Sequence, residues 1–226
     1  MKAYYDLHIH SCLSPCAQDD MTPNNIAAMA RLKGLSLIAL TDHNCGRNLP
    51  AMAACAGEGF VPGIEVTSRE EVHVLAYFSN VDSAVSFGEL IYDSLPDISN
   101  RPEIFGRQTV TGTDDKPRGE VEKLLLSASA FSIEKIKNMV WSQGGCAVPA
   151  HINRGSFSVF SNLGFLPAGL FKCVEISSGI PCPPVDSGLF ILNSSDAHSL
   201  ADIAEPENTL ENIKSATDFI SFLRSL

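Results

Sequence analysis

Two histidines one residue apart open the chemistry of this chain. In Tyr5-Asp6-Leu7-His8-Ile9-His10-Ser11, an extended strand projects residues two apart to one face. His8 and His10 then point together, while Leu7 and Ile9 pack on the other side. Two imidazoles side by side are half a metal site. Four more histidines follow, His43, His73, His151 and His198, each at or beside the end of an expected strand. Asp196 and His198 repeat the i, i+2 spacing of the first pair, Glu65 ends a strand, and Glu175 lies within one. Six imidazoles with Glu65 and Asp196 suit two or three hydrolytic divalent cations, Glu65 bridging two of them. Mixed nitrogen and oxygen donors favour Zn, Mn or Fe over Mg or Ca. Asp42, just before His43, is expected to stand behind the ligands and accept a hydrogen bond from a ligating imidazole. For Glu175 a structural role is at least as well supported.

The elements that must position these residues read as an alternating α/β chain. Thr22, Pro23 and Lys33-Gly34 bracket a helix, and the apolar run Leu35–Leu40 is that of a strand buried on both faces. Strand, helix, strand over this span predicts a parallel βαβ unit. Strands are expected at Phe60–Val66 and Val72–Phe78. The link between them is too short for a parallel crossover, so they should pair antiparallel and bring Glu65 and His73 to one edge. Helices are expected at 49–57, 84–94, 120–129, 132–143 and 215–226, and strands at 146–151, 173–177 and 189–193. The stretch from about 95 to 119, rich in Pro, Gly, Asp, Asn and Thr, reads as a polar excursion suited to covering a substrate. No internal repeat or linker divides the 226 residues, which predicts one domain over 1–226.

The balance of 16 basic against 26 acidic side chains, net −10, argues against broad nucleic-acid binding through a positive surface. A phosphate ligand stays compatible, because bound cations reverse the local field. Seven cysteines, no leader-like start and no membrane-spanning run predict reduced thiols in a cytoplasmic protein.

Asp6-Leu7-His8-Ile9-His10-Ser11, Thr41-Asp42-His43-Asn44, Gly63-Ile64-Glu65-Val66, His73, Pro149-Ala150-His151 and Ser194-Ser195-Asp196-Ala197-His198, in this order, resemble the successive motifs of the PHP (polymerase and histidinol phosphatase) superfamily. The resemblance implies a distorted (βα)7 TIM-like barrel and a trinuclear metal centre that hydrolyses phosphoesters with an activated water. It places His8, His10, Glu65 and Asp196 on a first metal, His43 and His198 on a second, and Glu65, His73 and His151 on a third. The second metal usually has a further ligand shortly after the histidine pair. Here the turn reads Ser14-Pro15-Cys16-Ala17-Gln18-Asp19-Asp20-Met21, and the expected ligand is Asp20, then Asp19, with Cys16 as the remaining alternative. Arg154, three residues after His151, is placed to reach phosphate oxygens with its fork of donors. By family analogy the substrate is a phosphomonoester or phosphodiester, with a nucleotide or short oligonucleotide phosphate favoured, and neither a stable nucleic-acid duplex nor a membrane is an expected partner. A histidinol-phosphate-type phosphatase, a non-catalytic metal-binding or regulatory domain, and a metal-dependent amide hydrolase on a related barrel are the alternatives.

Overall fold

The computed structural model describes residues 2–226. Strand β1 (Lys2–Ile9) leads through a turn-rich segment into helix α1 (Pro23–Leu32), then β2 (Leu37–Leu40), α2 (Leu49–Ala56), β3 (Phe60–Thr67), β4 (His73–Tyr77) and α3 (Val81–Ser94). The short helix α4 (Pro102–Phe105) and the hairpin of β5 (Thr109–Thr111) and β6 (Pro117–Glu120) follow. The chain continues with α5 (Ile133–Ser142), β7 (Cys146–Pro149), α6 (Val159–Leu163), β8 (Cys173–Ile176), β9 (Phe190–Asn193), β10 (Thr209–Glu211) and α7 (Ala216–Ser225). Pro23 begins α1 after an extended Thr22. Asn80, Ser132 and Ser215 each cap a helix by accepting a backbone N–H, as side chains of this type do.

A six-stranded mixed sheet in the order β10-β1-β2-β3-β4-β7 forms a curled half-barrel. β1, β2 and β3 run parallel, as the βαβ reading expects, and β3 pairs antiparallel with β4 so that Thr67 lies opposite His73. The parallel pair β8-β9 stands at the open side. It is tied there by the Ile152 N–H donating to Glu175 O, and by Ala197, whose N–H donates to His8 O and whose carbonyl accepts from His10 N–H. One apolar layer lies among β2, β3, β4 and α1, α2, α3 and α5. A second, with Leu7, Leu75, Tyr77 and Val148, is packed by Phe219, Ile220 and Leu223 of α7.

Three expectations are corrected. Leu7 and Ile9 do not share a face: Leu7 belongs to the layer under α7 and Ile9 to the layer under α1. The β1–β2 ladder slips between Asp6 and Ile9, and such an irregularity re-aims side chains. Residues 120–129 are not helical. Their backbone is bonded by buried side chains instead. Gln108 donates to Val121 O and Lys123 O and accepts from Leu125 N, and Asn44 donates to Leu125 O and Ser127 O. The third is β10, which the sequence does not announce. The 95–119 excursion carries its own helix and hairpin, and Thr109 N donates to Cys12 O while Asn48 accepts from Thr111 N.

Candidate metal centre

All six histidines meet at one end of the sheet around Glu65, which β3 delivers fully buried. The Nε2 atoms of His8 and His10 are 3.2 Å apart. His8 Nε2 lies 3.3 Å from Glu65 Oε1 and 3.2 Å from Asp196 Oδ1. His10 Nε2 lies 3.3 Å from Glu65 Oε2 and 3.1 Å from Asp196 Oδ1. On the other flank, His73 Nδ1 and His151 Nε2 approach Glu65 Oε1 at 3.0 and 3.2 Å and each other at 3.3 Å. His43 Nδ1 stands 3.0 Å from Glu65 Oε2. Beyond His43, its imidazole, that of His10 and that of His198 offer a third convergent set.

These spacings have a simple reading. Donor atoms sharing one ion at about 2.1 Å lie roughly 3.0 to 3.4 Å apart in tetrahedral or octahedral arrangements. Hydrogen bonding does not explain them as well, because Glu65 Oε2, Asp196 Oδ1 and His43 Nδ1 are buried without a hydrogen-bond partner. Buried polar atoms are seldom left so unless an ion or water takes them. The chemistry and geometry of the donor set therefore fit divalent metal.

On His8 and His10 the nitrogens turned away from the cluster are held. His8 Nδ1 is 3.0 and 3.1 Å from the two Glu175 oxygens, which fixes a proton there and makes Nε2 the nitrogen that faces the cluster. Glu175 also accepts the His151 backbone N–H at 3.0 Å. His10 Nδ1 contacts Ser14 Oγ at 2.9 Å. That hydroxyl donates to Asp42 Oδ1 at 2.7 Å and accepts the His43 backbone N–H at 3.1 Å. Asp42 thus reaches an imidazole through Ser14, while binding the Ser11 N–H and hydroxyl itself. The roles of Ser14 and Glu175 behind the ligands escape the sequence reading. For Glu175 a signal was present: a carboxylate set among Cys173, Val174 and Ile176 in a buried strand.

Two expected residues fall differently. Asp20 is exposed and outside the convergent groups. Its carbonyl accepts from Thr22 N and Asn25 Nδ2 as the chain turns into α1, which directs this stretch outward. Cys16 is likewise exposed and outside the convergent groups. Arg154 is half-exposed at the mouth, with Nη1 bonded to Asp196 Oδ2 and Nε donating to Ser177 Oγ at 2.9 Å.

The electrostatics follow from burial opposed by neighbours. Burial pulls His10 and His43 down, but Asp196 and Glu65 around His10, and Glu65 beside His43, outweigh it and hold both up at about 9. His8 is raised well above the usual histidine value, against burial, by Asp196, Glu175 and Glu65. Burial takes His73 down to about 4 and, with the charge of His10, His198 to about 3. Burial would raise Glu65 and Asp196, yet the surrounding imidazoles keep both well below the usual carboxylate range. A cavity of about 150 Å³ opens over the cluster, walled by His43, His73, His151, Arg154, Phe157 and His198 among others. None of its lining comes from 95–119.

No family model matches the chain. It is 38% identical over 79 residues to a 3′,5′-nucleoside bisphosphate phosphatase of Chromobacterium violaceum, a stretch covering 32% of this chain and 27% of that protein. In fold it is similar to the lesion-specific Endonuclease Q of Pyrococcus furiosus, with a TM-score of 0.72 at 20% identity over 100% of this chain and 56% of that one. A structure of Endonuclease Q with a 27-mer duplex bearing an abasic lesion superposes with a TM-score of 0.64 at 20% identity, covering 88% of this chain and 50% of that one. A Bifidobacterium adolescentis protein, provisionally assigned as a metal-dependent phosphoesterase, gives 0.59 at 17% identity over 97% of this chain and 95% of that one. The chain thus spans about a quarter of the phosphatase in that match and about half of the endonuclease. Among the described residues no helix is long and apolar enough to cross a membrane.

Proposed function

We propose that the chain is a metal-dependent phosphoesterase of the PHP superfamily, a single distorted (βα)7 domain over 1–226 that hydrolyses a phosphomonoester or phosphodiester. The observation that carries this reading is the shell of imidazole and carboxylate atoms at 3.0–3.3 Å spacing around Glu65, with an arginine at its mouth. Two or three ions, Zn, Mn or Fe, would be held by His8, His10, Glu65 and Asp196, by His43 and His198, and by Glu65, His73 and His151. For the second ion, the turn after the histidine pair offers Asp20, then Asp19, with Cys16 as the remaining alternative, as the further donor. When bound, the ions supply an activated water and a charge clamp for phosphate oxygens.

The chain's own residues do the positioning. Glu175 and Ser14 keep Nε2 of His8 and His10 turned inward as acceptors. Arg154 lines the cavity and has five N–H donors, of which two contacts occupy only part, which suits it to an incoming phosphate. The partial identity to a nucleoside bisphosphate phosphatase supports a nucleotide phosphate as substrate. The duplex seen in Endonuclease Q narrows the expectation drawn from charge: net −10 argues against a basic binding surface, not against a nucleic-acid phosphate entering the cleft.

The test is inorganic phosphate release from adenosine 3′,5′-bisphosphate and histidinol phosphate, and nitrophenol release from bis(p-nitrophenyl) phosphate, with manganese, in wild type and His8→Ala. Manganese-dependent turnover of the bisphosphate, abolished by His8→Ala, is expected. Turnover of histidinol phosphate alone would transfer the assignment to a small-metabolite phosphatase, and turnover of none would overturn it.

A further inference from the structure

Phe157 is out of place for a residue serving the core. It is 42% exposed and its backbone is left-handed, φ +53, a conformation unfavourable for a bulky side chain. The chain nevertheless holds it there: Phe157 O accepts the His73 N–H at 2.9 Å. Its ring stacks on the His73 imidazole at 4.8 Å and 17°, and it lines the cavity over the cluster together with Arg154 and Ser156. One ring face is thus covered by an imidazole of the cluster, and the exposure falls on the other face and the edge. An apolar ring left open to water, in a strained backbone, beside a cavity walled by the histidine cluster and Arg154 is what a ligand-covering surface looks like before the ligand arrives.

We infer that Phe157 is the specificity platform of this site, selecting phosphate esters whose alcohol part carries a flat aromatic ring, an aryl group or a nucleobase, over small aliphatic ones. The inference rests on the phosphoesterase reading and narrows its substrate class. Arg154 and the cluster take the phosphate, and the open face of Phe157 takes the aromatic ring that the ester carries. Stacking of a base on an aromatic side chain supplies roughly five- to a hundredfold in affinity.

The experiment is calorimetric binding of phenylphosphonate and methylphosphonate, which are not hydrolysed, to manganese-loaded wild type, Phe157→Leu and Phe157→Tyr, with bound manganese counted in each. Wild type is expected to prefer phenylphosphonate by about tenfold, Phe157→Leu to lose that preference with methylphosphonate binding and manganese content unchanged, and Phe157→Tyr to restore it. A preference kept in Phe157→Leu would overturn the platform role while leaving the phosphate reading intact. Equal weakening of both phosphonates, or loss of manganese, would mean that Phe157 only positions His73. If neither phosphonate binds wild type, the phosphate reading itself fails, and this inference with it.

Discussion

Replacing Glu175 by glutamine keeps the side chain's shape and removes the one feature that sets the His8 tautomer. In the native site Oε1 takes both the His8 Nδ1 proton and the His151 N–H at 3.0 Å, and Oε2 lies 3.1 Å from the same Nδ1. Glutamine can keep its carbonyl at the Oε1 position and serve both donors, but its NH2 group then faces the Nδ1 proton, donor against donor. The imidazole escapes by moving its proton to Nε2, the atom 3.2–3.3 Å from His10, Glu65 and Asp196. A proton there blocks the metal. Loss of an outer hydrogen-bond partner typically lowers metal affinity about 10- to 100-fold, or about 1.4–2.7 kcal/mol at about 1.36 kcal/mol per decade. Occupancy at free zinc or manganese set by a chelator buffer, in wild type and Glu175→Gln, measures this, with thermal midpoints of the metal-free proteins as the control for folding. An unchanged occupancy curve, with or without a lower metal-free midpoint, would refute the reasoning and return Glu175 to a purely structural part.

Further outcomes follow from the same contacts. Metal-free protein at pH 7 carries protons on His10 and His43, both held at about 9; metal takes the neutral ring, so adding manganese should expel about two protons or more, fewer as the pH passes 9. Calorimetry in two buffers of different ionisation enthalpy counts them, and zero release would contradict the assignment. A folded-state value raised above the unfolded one stabilises below the unfolded value, near 6.5, and that contribution is lost as pH rises through about 9. The thermal midpoint of the metal-free protein should therefore fall across that window while the metal-loaded one holds. Ser14→Ala removes the hydroxyl joining His10, Asp42 and the His43 N–H, and should destabilise the metal-free fold by about 1–3 kcal/mol in chemical denaturation. Arg154→Lys keeps the charge and loses the fork. It should lower kcat/KM on the best phosphoester by roughly 10- to 100-fold with bound metal unchanged, and a parallel loss of metal would show that Arg154 acts through Asp196 alone.

How much of this was legible in the sequence depended on whether a residue's partners are local. His8 and His10, and Asp196 and His198, are marked by their i, i+2 pairing, although the β1 ladder slips at the first pair and Asp196 lies past the end of β9 with φ +54. Glu65 and His73 are marked by a link too short for a parallel crossover. The stretch 120–129 is expected to be helical, and Glu120-Val121-Glu122-Lys123-Leu124-Leu125 has the composition of one. Its backbone is claimed instead by the buried side chains of Gln108 and Asn44, a long-range competition that no local pattern encodes. Asp20 fails for the converse reason. It is near the histidine pair in sequence, but its own carbonyl is occupied in starting α1, and that turn carries the side chain outward. Ser14 and Glu175 were hidden because a hydroxyl and a buried carboxylate acquire their roles only when β1, β2 and β8 close on one another.

The backbone around the cluster is strained where the donors are aimed. Among the described residues, seven other than glycine have positive φ, and Asn44, His151, Phe157 and Asp196 are four of them. Asn and Asp tolerate this conformation; His151 and Phe157 do so less readily, at a cost of order 1–3 kcal/mol each. Each is pinned by a contact that also serves the site. Asn44 Oδ1 accepts from Thr67 N at the end of β3, the His151 N–H donates to the carboxylate that orients His8, and Phe157 O accepts from His73 N. Asp196 is followed at once by Ala197, which is bonded to both His8 and His10. The strain and the donor shell are therefore one construction. Relaxing the backbone at His151 would release Glu175, and with it the tautomer of an imidazole on the opposite wall. Tension of this kind survives when the bound state returns more than it consumes. That is why the metal-free protein should be the less stable form, and why relaxing the backbone at His151 or Phe157 should weaken its hold on metal.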